Sequence, residues 1–115
     1  MRNELLQLIK EKESIYTTEI TDLLPIAKGE GAMFLPTREG YNKNILILAN
    51  VNVDFIRAYN ELIKANLIEL EDIGIHEYVL SGTPIYSNLQ VATKKNLKTQ
   101  KNVWLPTVIK LVKND

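Results

Sequence analysis

Between Glu69 and Glu77 the sequence E-L-E-D-I-G-I-H-E gathers four carboxylates around His76, the one histidine of the chain. Residues of these types hold metal ions or move protons when their side chains converge on one point. Here the spacing works against convergence. Alternation along an extended chain sends neighbouring side chains to opposite faces. One imidazole with no second nitrogen or sulfur ligand is also a poor transition-metal site. The segment is expected to be a solvated acidic hairpin that holds no metal.

Other chemistries are no better supplied. Ser14, Ser81 and Ser87 are the serines, and none lies in a G-x-S-x-G elbow. The glycine pair in K28-G-E-G31 lacks the spacing of either nucleotide fingerprint, and Glu30 would repel a phosphate. A loop requiring positive φ is the expected role of those glycines. The absence of cysteine removes disulfides, thiolate metal sites and cysteine nucleophiles together. The sequence therefore points away from an enzyme and implies no cofactor.

What remains is binding. The stretch T93-K-K-N-L-K-T-Q-K-N-V-W-L-P106 carries Lys94, Lys95, Lys98 and Lys101 with no carboxylate among them. Interleaved amides and hydroxyls make it a workable phosphate clamp. It is equally a solvated lysine-rich loop, closed at one end by Trp104, which is expected in the core. The zero net charge of the chain is a cancellation. Residues 1–90 hold eight Lys and Arg against thirteen Asp and Glu, a net −5, and residues 91–115 hold six lysines against Asp115 alone. The basic end is suited to a polyanion, or to the acidic remainder of its own fold or of a second copy.

These groups must be positioned by elements that the apolar pattern predicts. At 115 residues and 45% hydrophobic, the chain reads as one domain, residues 1–115, able to bury a core without staples. N3–E13 has a helical stripe of Leu5, Leu6, Leu8 and Ile9, with Asn3 as a candidate cap. A short helix capped by Thr17 or Thr18 should point Ile20, Leu23 and Leu24 inward and end at Pro25. Residues 25–44, with three glycines and two prolines, read as a loop around a short strand at Ala32–Leu35. I45-L-I-L-A49 is a buried strand. A second helix spans V53–N66, capped by Asn52 and buried through Phe55, Ile56, Tyr59, Leu62, Ile63 and Leu67. A hairpin turning near Gly74 follows over 67–81, then strands at Ile85–Tyr86, Leu89–Thr93 and Val103–Val112. The fold class expected is α+β.

The phrase "YNELIKANLIEL", a turn and then "HEYVLSG" resembles the third helix and wing of the winged-helix family, and "IYTTEITDLL" resembles its first strand and second helix. The similarity covers residues 3–81 and consists of packing patterns. It implies three helices with a β-hairpin wing, elaborated by additional C-terminal strands. One departure is plain: the family joins its second and third helices by a short turn, where this chain has residues 25–52. In size and composition the chain also resembles small proteins of phages and mobile elements.

By that resemblance the helix over 53–66 would enter the major groove. Arg57, Asn60 and Lys64 form one stripe on it, suited to base edges or phosphates. Asp54 and Glu61 at neighbouring spacings also make the face a self-neutralising ladder. The wing itself is acidic where a phosphate-tracking wing should be basic. Two functions stay open. One is non-enzymatic accessory or regulatory binding of nucleic acid, its phosphates contacted mainly through the basic C-terminal loop of Lys94, Lys95, Lys98 and Lys101, supported by Arg57, Asn60 and Lys64. The other is a protein-interaction module, a homodimer or a host-protein modulator, seated on Ile73 and Ile75. The longest apolar run, I45-L-I-L-A49, is too short to span a membrane, and no export signal is apparent, so the cytoplasm is the expected compartment.

Overall fold

The computed structural model describes residues 1–37, 40–93 and 102–113. It is α+β, with four α-helices and two sheets among those residues.

Helix α1 spans Arg2–Lys12, one residue earlier than the pattern suggested, so Asn3 lies inside it and Met1 is the cap residue. Leu5 and Ile9, one turn apart, are fully buried, and Glu13 closes the helix at φ 64° with its N–H on the Ile9 carbonyl. Strand β1, Ser14–Tyr16, follows. Next come a 3₁₀ turn at Thr17–Glu19, helix α2 at Ile20–Leu23 and a second 3₁₀ turn at Pro25–Ala27. Thr17 and Thr18 are buried and bond across the fold, and neither caps α2. Ile20 points inward as expected, whereas Leu23 is 37% exposed.

The described residues of 25–44 are not a loop, and the short strand expected at Ala32–Leu35 falls inside a longer one. Most of them belong to a long antiparallel hairpin of β2, Lys28–Thr37, and β3, Gly40–Val51. Glycine enters β2 for room, with no positive φ at Gly29 or Gly31. A Cβ on Gly29 would sit 2.6 Å from Cα of Asn52, and one on Gly31 2.7 Å from the Val51 carbonyl. The close strand crossing replaces the turn conformation inferred from sequence.

Helix α3, Val53–Lys64, runs almost directly into β4, Ile68–Asp72. The hairpin expected over 67–81 is absent. After Gly74 the chain forms helix α4, Ile75–Ser81, which Gly82 closes in the left-handed conformation. Two short strands follow, β5 at Gln90–Val91 and β6 at Val103–Trp104, then β7 at Thr107–Leu111. No strand forms at Ile85–Tyr86. The stretch predicted as one strand over 103–112 is cut at Leu105–Pro106, where the chain passes from one sheet to the other.

The first sheet has the order β1-β7-β4 and is antiparallel throughout; Ile15 lies opposite Ile109, and Ile109 opposite Leu70. Together with β3 it contributes to a core that includes Leu5, Ile9, Phe55, Ala58, Tyr59 and Leu62 from α1 and α3. The second sheet, β2-β3-β6-β5, pairs β6 in parallel with both β3 and β5. A second buried group joins α4 to this sheet. Tyr78 meets Tyr16 and Trp104 edge to face at centroid distances of 5.1 and 5.3 Å, and Tyr86 meets Trp104 at 5.2 Å. Tyr86 also accepts the Ala49 N–H at 2.8 Å, which occupies a backbone donor of β3 at the level beyond its pairing with β6.

Candidate nucleic-acid interface

The outer face of α3 is held in place by its first residues. Asn52, in extended conformation, accepts the Phe55 N–H at 2.8 Å, as its expected cap role requires. The same side chain donates to the carbonyls of Ile26 at 2.6 Å and Lys28 at 3.2 Å. The cap therefore ties the helix to the base of the β2–β3 hairpin, and the closeness of Gly29 to Asn52 leaves no room for a shift. Phe55, Ala58, Tyr59 and Leu62 are buried on the inner side, with Phe55 and Tyr59 stacked at 6.4 Å. Burial of this kind contributes roughly 1.5–3 kcal/mol for each large side chain.

Opposite that face, Arg57, Asn60 and Lys64 come together with Val53, Ile56 and Glu61 around one shallow depression. Arg57 and Lys64 are exposed and Asn60 is half-buried. Of the ion pairs the spacing allows on this face, only Arg57–Asp54 closes among the described residues. Its separation is 4.0 Å, and both side chains are about 70% exposed (69% and 74%). Such a contact contributes little and leaves the guanidinium free to turn toward another anion.

Lys94, Lys95, Lys98 and Lys101 lie outside the described residues. The ends of their segment are fixed by β5 and β6, which pair Gln90 with Val103 and Val91 with Trp104. Trp104 is 1% exposed, so its expected place in the core holds.

The acidic segment differs from expectation. Because α4 stands where the second strand of a hairpin was expected, Ile73 and Ile75 do not form an apolar tip; both are half-buried, Ile73 before Gly74 and Ile75 opening the helix. His76 and Glu77 are exposed on α4. Among the described residues no group of three or more His, Asp or Glu side chains is placed to hold a metal ion.

The folded chain also builds a cleft that no local motif announces. Lys12, Tyr16, Glu19, Glu71, Glu77 and Lys110 line it, from the outer face of the first sheet to α4. Lys110 is hydrogen-bonded to Glu71, which, with the further fields of Glu69 and Glu77, raises its pKa above the usual lysine value. Held cationic, it does not act as a base near neutral pH. Glu19 accepts the Thr83 hydroxyl at 3.0 Å, and Ser81 bonds the Tyr78 carbonyl at 3.0 Å and the Thr83 hydroxyl at 2.6 Å. Within the cleft Lys110 and Glu71 thus bond each other, while Glu19 and Ser81 are both held by Thr83. The lining residues span positions 12 to 110, and only the strand register could have united them.

Comparison with known proteins finds no family model that matches the chain, and no curated protein or solved structure that is similar to it.

Proposed function

We propose that the protein is a non-enzymatic nucleic-acid-binding module, with accessory or regulatory activity, whose reading element is α3. The observation that carries this is the grouping of Arg57, Asn60 and Lys64 on one outward surface of a helix whose position is fixed at its cap. Arg and Asn are the side chains that bond base edges in two places at once, and Lys supplies phosphate contact. The topology supports the same reading. The order helix, strand, short helix, third helix, then β4 and β7, with β7 between β1 and β4, is what a winged-helix arrangement would require. Two insertions elaborate it: the β2–β3 hairpin between the second and third helices, and residues 73–106 in place of the wing. The second insertion carries Lys94, Lys95, Lys98 and Lys101, which add phosphate contacts that the acidic β4–α4 segment does not supply. Titration of a labelled duplex with the protein and with the Arg57→Ala/Lys64→Ala variant tests this role of α3.

A protein-interaction module is the second reading, favoured by α4. Val79 and Leu80 are 61% and 87% exposed on that helix. They take over the part first assigned to Ile73 and Ile75. A variant with Leu80→Asp that loses a partner while retaining nucleic-acid binding would separate the two.

A further inference from the structure

Among the described residues strand β4 ends the first sheet, with β7 as its neighbour on one side. The Leu67 carbonyl accepts the Val112 N–H, and the Ile73 N–H donates to the Pro106 carbonyl. Both contacts continue the register in which Ile68 faces Leu111 and Asp72 faces Thr107. Hydrogen-bonding direction alternates along an antiparallel strand. Odd-numbered residues of β4 therefore turn their backbone toward β7, and Leu70 and Asp72 turn N–H and C=O toward an accessible edge, whereas Ile68, 2% exposed, is covered. Beside that edge lies an apolar groove, lined by Leu35, Tyr59 and Ile63 with Ile68 and Leu70. Unpaired strand donors and an apolar trough along them are the two components of strand-addition recognition.

We infer that this edge binds an extended segment of a partner protein in which apolar residues alternate with Lys or Arg. Charge selects the occupant. Glu69 and Glu71 are exposed, and their register partners on β7, Lys110 and Val108, bring one cation, which is already bonded to Glu71. A second copy is a poor occupant: antiparallel pairing about Leu70 sets Glu69 of one copy against Glu71 of the other, and like charges directly opposite destabilise a sheet. A strand with Lys or Arg on that face reverses the sign, while its alternate apolar side chains enter the groove beside Ile63 and Leu70. The acidic pair thus discourages self-association along an edge that stays open to basic strands.

The test uses the whole protein and two fluorescent ten-residue peptides, alternating Val-Lys and alternating Val-Glu. Anisotropy should give at least tenfold tighter binding of the lysine peptide, and amide exchange should slow at Leu70 and Asp72. Leu70→Pro removes an edge N–H that β7 does not use and should abolish binding. Glu69→Lys/Glu71→Lys should invert the peptide preference and decides the matter if the proline variant does not fold. Equal binding of both peptides, unchanged exchange at Leu70 and Asp72, or a dimer joined through β4 would each overturn the inference.

Discussion

The hydroxyl of Tyr78 accepts the backbone N–H of Thr17 at 3.1 Å, across 61 positions of sequence. It also donates to the Thr107 carbonyl, which receives the Thr17 hydroxyl at 3.0 Å as well. One phenol thereby satisfies the turn after β1 and the start of β7, and fastens α4 to both. This bond, with the Tyr16 and Trp104 rings packed around it, accounts for a helix where the sequence pattern favoured a strand.

Replacement of Tyr78 by Phe keeps the ring contacts and leaves the Thr17 N–H without its partner. A buried donor left unpaired costs about 1–3 kcal/mol. The free energy of urea unfolding should fall by that amount, seen as a lower midpoint with the slope unchanged.

Alkaline pH should weaken the fold through the same residue. Burial pushes the Tyr78 and Tyr86 phenols above the ordinary tyrosine value, outweighing their hydrogen bonds to backbone groups. Both states carry neutral phenols below about pH 10. As the pH rises past that point, the unfolded chain ionises first, so stability declines until the folded phenols titrate too. Urea midpoints measured from pH 8 to 11 should drop steeply above pH 10, and Tyr78→Phe/Tyr86→Phe should flatten the decline.

Trp104 offers an optical check of the second buried group. It is the chain's one tryptophan, 1% exposed, and its indole N–H has no hydrogen-bond partner among the described residues. Its emission should be blue-shifted and resistant to acrylamide. Trp104→Ala should cost about 3–5 kcal/mol, whereas Trp104→Phe should cost less because it removes an orphaned donor along with volume.

At the base of α3, Asn52→Ala removes the cap and two hydrogen bonds to Ile26 and Lys28, and should destabilise by about 2 kcal/mol, the upper part of the capping range. Gly29→Ala should cost a comparable 1–3 kcal/mol, because its Cβ meets backbone atoms of Asn52. Thermal unfolding of the two single variants and their combination should give a non-additive loss, since both act on one contact.

The elements legible in the sequence were those set by local signals. The apolar stripes of α1 and α3, the Asn52 cap and the buried core of β3 follow from spacing and side-chain type over a dozen residues. Arg57, Asn60 and Lys64 share a surface for the same reason. Residues 75–81 were misread because His, Tyr and Val tolerate a strand after Gly74, and only the distant Thr17 and Thr107 fix Tyr78 in a helix. The β2–β3 hairpin was hidden by Gly29 and Gly31, whose purpose is the approach of Asn52 and Val51. Neither the cleft around Lys110 nor the β4 edge has a local signature, because each depends on register across strands far apart in sequence.

Salt-dependent binding of a labelled duplex tests the role of α3 most directly, comparing the protein with Arg57→Ala/Asn60→Ala/Lys64→Ala and with Lys94→Ala/Lys95→Ala/Lys98→Ala/Lys101→Ala. If Arg57, Lys64 and the four lysines each neutralise a phosphate, log K should fall against log salt with a slope of about −5. The lysine variant should lose about three to four of that slope. The α3 variant should lose about two, keep its stability within roughly 0.5 kcal/mol, and lose any preference among duplex sequences. No binding at low salt, or binding that the α3 variant retains in full, would contradict the account.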